Sequence, residues 1–386
     1  MVNGGDYRQP TIPFTFDWGD GAVTNSFFLC THTYSEKTKN YIITITAHYN
    51  DGTSDSFKFV ARFVTPVIKP VLLPDNIKVT LPSTSVSLTS RMPGYGTSSN
   101  LTAFNDSCFT TIPRSTVEYV LSVAASIQKD FVNDNVYLVD GGFNQVVLND
   151  PNFNGMYSLW YTSPVAFGAG TYAFQGTFQW SSFFHEMGHN MTLNSPANYY
   201  YGGKIDGCAN AIFSEAMAQI FQHATAYCLI NDYQNYGLGE DLATDICNST
   251  LSSMQVVKNA YSSYLANGKQ FASWNDPSTP GDETFNTFMT IAYVFFEHAE
   301  KSLLGYKTSL KRMMTLLQLF DENMAVRYDP NDNTAAAATF RSTLMVSALS
   351  YAFEQDLRPE FRDLNFPIDD QEYDTLYQKA RSLPGQ

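Results

Sequence analysis

The stretch Phe183-Phe184-His185-Glu186-Met187-Gly188-His189 spends two of the chain's 6 histidines, four residues apart, around one glutamate. At this chain's residue frequencies the pattern H-E-x-x-H arises by chance on the order of a few times per thousand such sequences. On a helix, positions i and i+4 lie one above the other, so both imidazoles can meet a single ion about 2 Å from each ring nitrogen. Glu186 is rotated off that line, yet near enough to take a proton from water polarised by such an ion. The chemistry implied is metal-assisted hydrolysis with a carboxylate base. Gly188, inside the same segment, costs about 1 kcal/mol against alanine in a helix interior, so it signals close packing or access rather than helix formation.

A catalytic zinc needs a third protein ligand and one open position. The extension H-x-x-G-x-x-H is absent, because Thr192 and Ser195 stand where its glycine and histidine would be. Spacings that place a glutamate near Cys208 or Ala209 are not met either. The first glutamate after the motif is Glu215, in a helix expected over residues 208–224 whose other members are mostly Ala, Ile, Phe and Met. A carboxylate in such surroundings is costly unless a charge meets it. Glu215 is therefore expected to be the third ligand, against the plainer reading of a solvated outer-face residue, with Asp206 as the reserve. A donor to a developing oxyanion would come from His223, His298 or the run Tyr199-Tyr200-Tyr201, among which spacing does not choose.

These residues need elements to hold them. Residues 14 to 63 alternate as strands, with Ile43, Ile45 and Ala47 on one face and an Asn50-Asp51-Gly52 turn before the next strand. Pro66 to Pro93 is rich in Pro, Ser, Thr and Val and reads as a linker running into short strands. Thr116 to Phe131 carries Val117, Val120, Leu121, Val123, Ala124 and Ile127 as a helical stripe, behind Pro113 and Ser115. VYLVDGGFNQVVL and YSLWYTSPVAF read as strands leading into the histidine segment. After Gly207 the apolar spacing is helical throughout. The expected architecture is a small all-β unit over residues 1–66, then an α+β body over 67–386. In that body a β-containing lobe (67–205) ends in the histidine helix and a helical lobe follows (206–386).

The chain of 386 residues exceeds the size at which one core usually stops growing, which agrees with two units. Its net charge of −14, with no basic stripe, argues against nucleic acid and anionic membrane surfaces. No apolar run is long enough to span a bilayer, and the residues after Met1 are polar rather than signal-like. The 5 cysteines show no C-x-x-C spacing; Cys208, Cys228 and Cys247 could supply one disulfide.

Two resemblances sharpen the reading. Asp17-Trp18-Gly19-Asp20-Gly21, Thr31-His32-Thr33-Tyr34 and Tyr41-Ile42-Ile43-Thr44-Ile45-Thr46 resemble the PKD domain, an immunoglobulin-like β-sandwich. FFHEMGHNM followed by IFSEAMAQIF, with Asp356-Leu357-Arg358-Pro359-Glu360-Phe361 and Leu364-Asn365-Phe366-Pro367-Ile368 near the end, resembles the M60-like (enhancin-type) peptidases. In that family's closing segment a glycine usually stands where this chain has Asn365. The resemblance implies a zincin-like gluzincin fold, a Zn2+ cofactor held by His185, His189 and Glu215, and Glu186 as general base. It further implies a protein or mucin-type glycoprotein substrate and a secreted or cell-surface location. The rival expectation is a PKD-bearing binding or adhesion protein on a peptidase fold that no longer catalyses.

Overall fold

The computed structural model describes residues 2, 4, 6, 8, 10–84, 88–91, 98–132, 143–153, 155–159, 165–170, 174, 178–193, 215–273, 282–328 and 334–383. An N-terminal antiparallel sheet is followed by an α/β region and a helical C-terminal part. The first sheet runs β2 (Val23–Ser26), β1 (Phe14–Asp17), β3 (Tyr41–His48), β4 (Ser54–Ala61). Along β3 burial alternates strictly, Tyr41, Ile43, Ile45 and Ala47 facing inward, because successive side chains of a strand point to opposite faces. They pack with Phe14, Phe16 and Trp18. The Asp17-to-Gly21 turn is self-supporting: Asp17 accepts from Gly19 N and Asp20 from Ala22 N. Gly19 has φ +76° and a Cβ there would lie 2.5 Å from the Ile42 carbonyl oxygen, so only glycine fits.

The second sheet has the order β5 (Ile77–Thr80), β8 (Phe143–Asn149), β10 (Val165–Ala169), β9 (Met156–Leu159). The first three are parallel and β9 is an antiparallel edge. β6 (Leu88–Arg91) and β7 (Ser98–Leu101) form a separate hairpin-like pair. Helix α1 (Arg114–Phe131) covers the sheet and serves the edge of β5, Val79 N donating to Ser122 Oγ and Leu81 N to Glu118 Oε1. Of the sequence VYLVDGGFNQVVL, residues 136–142 lie outside the described residues.

Helices α2 (Trp180–Leu193) and α3 (Ala216–Asn231) occupy the centre of the body; α3 presents almost no polar face to water. The expected 208–224 helix extends further at its C-terminal end: residues 208–214 lie outside the described residues, and the helix runs on to Asn231 because Thr225, Ala226, Cys228 and Leu229 continue the buried surface. Around them lie α4 (Glu240–Ala266), α5 (Asp282–Lys301), α6 (Gly305–Leu317), α7 (Glu322–Tyr328), α8 (Ala335–Phe353), α9 (Arg358–Asp363) and α10 (Asp370–Arg381). No helix among the described residues is long and apolar enough to cross a membrane. Cys228 and Cys247 are both free thiols, so they are not joined to each other, and Cys208 lies outside the described residues.

The N-terminal sheet rests on α4. Arg62 reaches Asp241 at 2.9 Å and also pairs with Asp245. Asn40 donates to Asp241 at 2.8 Å while its carbonyl oxygen accepts from Phe63 N and Val64 N. Burial pushes Asp245 up to about 6, with Arg62 pulling it down and Asp241 pushing it further up.

Candidate functional site

His185, Glu186 and His189 sit on α2, whose remaining faces hold Phe183, Phe184, Met187 and Met191, all fully buried. A helix apolar on every side is a core helix, so its few polar side chains must find partners. Glu215 immediately precedes α3, already with helical dihedrals (φ −73°, ψ −42°). It meets both imidazoles: His185 Nε2 lies 3.2 Å from Oε2 and His189 Nε2 lies 3.5 Å from Oε1. All three donor groups fall within 4.8 Å of one another, so His185, His189 and Glu215 can hold a metal ion. Ligand atoms about 2.1 Å from a tetrahedral zinc stand roughly 3.4 Å apart. The two nitrogen–oxygen separations bracket that value, and the donor set of two imidazoles and a carboxylate fits zinc.

Electrostatics follow from the packing. Burial opposes charge on the His189 ring, but the Glu215 carboxylate outweighs it and raises the imidazole to about 9. Burial pushes Glu215 upward, and the two histidines overcome this and hold its carboxyl well below the usual range. With 41% of its side chain open to water, part of that pull is screened. Glu186, 7% exposed, is raised by burial against the opposing influence of both histidines.

The supporting contacts are polar and short. Gln128 of α1 donates to the Phe184 carbonyl of α2 at 2.9 Å and to Thr225 of α3 at 3.1 Å, tying three helices in the core. Ser181 at the start of α2 pairs with Ser249 of α4 at 2.6 Å, and Gln219 and Gln222 of α3 both donate to Ser253 of α4. Gly188 faces Ala218 and Phe221, where a Cβ would come within 2.9 Å of Phe221 Cβ. Its purpose is close helix packing. Ser158 on β9 donates to the Glu186 backbone carbonyl at 2.6 Å and lies 3.0 Å from Oε2. Sequence reading passed over Ser158, Gln128, Ser249 and Ser253, since Ser and Gln residues carry no spacing signal that names a partner.

Of the expected oxyanion donors, two sit elsewhere. His223 lies eight residues along α3 from Glu215, about 12 Å at 1.5 Å per residue, with its Nε2 3.2 Å from the Tyr306 hydroxyl. His298 pairs with Glu360 of α9 at 2.8 Å. Tyr199, Tyr200, Tyr201 and the reserve ligand Asp206 lie outside the described residues.

No family model matches the chain, and no curated protein matches it. A solved structure of a functionally unknown conserved protein mutant from Bacillus anthracis str. Ames is similar over 73% of this chain, with 12% identity and a TM-score of 0.39. This chain spans 50% of the length of that one.

Proposed function

We propose that the protein is a zinc-dependent endopeptidase of the M60-like, gluzincin type. The observation that carries the reading is the 3.2 and 3.5 Å spacing between Glu215 and the two helix-borne imidazoles, with a carboxylate one residue from the first histidine. His185, His189 and Glu215 would hold zinc, which supplies Lewis acidity toward a peptide carbonyl and toward water. Glu186, kept largely out of solvent, accepts a proton from the attacking water and returns it to the leaving amine. Burial favours that uptake, since it destabilises the charged carboxylate. Gln128, Ser181 and Gly188 keep α2 and α3 in the register that brings the three ligands together.

The N-terminal sheet is assigned to a PKD-like, immunoglobulin-like unit. Supporting this are the Trp18 to Gly21 turn, the stacking of His32 on Trp18 at 4.9 Å and the Tyr34 hydroxyl donating to the Trp18 carbonyl. Such a unit, beside a peptidase body, fits action on extracellular proteins, mucin-type glycoproteins among them, at a secreted or cell-surface location.

The test compares wild type with Glu186→Gln, which preserves size and leaves every ligand in place. Zinc content should be equal in the two proteins. Cleavage of a mucin-type glycoprotein and of unglycosylated casein should fall by about 10²–10⁴-fold in the variant. Equal turnover in both proteins, or none in either, would remove the peptidase reading and favour a binding role.

A further inference from the structure

We propose that Ser158, on the edge strand of the mixed sheet, is the positioning residue for Glu186; the proposal rests on the peptidase reading above. The Ser158 hydroxyl stands 3.0 Å from Glu186 Oε2 and 2.6 Å from the Glu186 backbone carbonyl. Among the described residues it is the one hydrogen-bond donor to this carboxylate. A glutamate side chain has several rotatable bonds, and its terminal torsion is broad and two-fold. A base must nevertheless lie within hydrogen-bond reach of the proton it takes. Fixing Oε2 on Ser158 leaves Oε1 as the oxygen that meets water.

The tether does not belong to the helix that carries the base. β9 is held by antiparallel pairing with β10, in which Ser158 faces Phe167 across the ladder. The neighbouring Tyr157 anchors the strand through its hydroxyl, which donates to Asp150 at 2.7 Å. Glu186 is thus fixed from two elements at once, its backbone by α2 and its carboxylate by the sheet edge. The single hydroxyl proton has two acceptors. When Glu186 carries the proton abstracted from water on Oε1, Oε2 becomes the carbonyl oxygen of the acid and still accepts from the Ser158 hydroxyl. The contact therefore persists through the proton transfer.

Ser158→Ala and Ser158→Thr test this beside Glu186→Gln. In the alanine variant kcat should fall about tenfold, a fraction of what general-base catalysis contributes. KM should stay within about twofold and zinc affinity should be unchanged, since the ground-state contacts and ligands are untouched. Threonine, which keeps the hydroxyl, should restore most of the rate. The second readout is binding of acetohydroxamate, whose N–H and O–H donate to a carboxylate beside a metal. Its affinity should weaken about tenfold on Ser158→Ala in the wild-type background and not at all in the Glu186→Gln background, the signature of two residues acting as one unit. Equal weakening in both backgrounds, or wild-type kinetics in Ser158→Ala, overturns the proposal. If turnover and hydroxamate binding ignore Glu186→Gln, the peptidase reading itself fails. Dependence on Glu186 without dependence on Ser158 removes this inference alone.

Discussion

Gly188→Ala separates the assembly of the metal site from the stability of the fold. The added methyl would lie 2.9 Å from Phe221 Cβ, 3.1 Å from Ala218 Cα and 3.2 Å from the Ala218 carbonyl oxygen. Carbon atoms pack at about 3.5–4.0 Å, so α2 and α3 must part by roughly 0.6 Å or more. Two of the three obstacles are backbone atoms, and the third is a Cβ fixed to backbone. No rotamer change relieves the contact. Overpacking of this kind costs about 1–3 kcal/mol, while alanine returns about 1 kcal/mol of helix propensity. The net loss of stability should be at most about 2 kcal/mol.

The ligands are less forgiving. Glu215 stands three residues before Ala218, about 4.5 Å along the helix axis, so a shift of α3 at Ala218 is passed on to Glu215 almost undiminished. Zinc–ligand distances tolerate about 0.2 Å. Zinc affinity, measured by competition with a chelator, should therefore fall by 10–100-fold, the range seen when residues supporting a metal site are lost. Metal-free protein should still unfold cooperatively, within several degrees of wild type. Zinc affinity within twofold of wild type would refute the argument that Gly188 sets the spacing of the ligand helices.

His223 gives a pH signature. Burial, aided by Lys258, holds the ring down to about 4, whereas the unfolded chain protonates near 6.5, so the unfolded state binds more protons between those values. Its contribution is intact above pH 6.5 and is lost as pH falls through 4, a loss of about 3 kcal/mol in all. His223→Gln should flatten the acid limb of thermal stability in metal-free protein between pH 7 and 4.5, and an unchanged limb would count against it. Arg62→Ala should cost about 2 kcal/mol, less than the 3–5 of a fully buried pair, because Arg62 and its partners keep 13–17% of their side-chain surface in water. The variant should also be cut faster by protease between residues 62 and 76. If Arg62→Ala matches wild type in both measurements, the ion pairs do not hold the N-terminal sheet in place.

What was legible in the sequence was what spacing encodes. Two histidines four apart declare a shared helix face, and alternation from Tyr41 to Ala47 declares a half-buried strand; both are properties of a single element. Glu215 could be named because an apolar segment must compensate its charge, and its partners prove to be the two histidines. His223 could not be placed in the same way. On a helix apolar nearly all round there is no polar face for periodicity to find, and His223 turns toward Tyr306 rather than the ligands. Asn365 is instructive in the other direction. It ends α9 with a φ of +61°, in the left-handed region that glycine and asparagine enter more readily than other residues. Phe366 N donates to the Phe361 carbonyl and Asn365 N to the Arg362 carbonyl, a left-handed helix end that glycine usually fills and asparagine sometimes does.

Beyond the Glu215 pairing, contacts that span elements were not legible, and α4 shows why they matter. Asp245, Ser249 and Ser253 lie four residues apart along it, and each serves a different partner. Asp245 takes Arg62 from the N-terminal sheet, Ser249 takes Ser181 at the start of α2, and Ser253 takes Gln219 and Gln222 of α3. One helix thus contacts both ligand-bearing helices and carries the N-terminal sheet. Short hydrogen bonds to serine side chains leave little slack, because the reach of a hydroxyl is a single bond. A displacement of α4 as a rigid body would be felt by α2 and α3 together, preserving their mutual spacing at Gly188. Coupling between the N-terminal sheet and the metal site would need more than this continuity, namely an element with two discrete arrangements. The described contacts provide one arrangement. On that ground the sheet acts as a docked companion to the site: its loss should lower the stability of α4 while leaving the spacing of His185, His189 and Glu215 to the packing of α2 on α3.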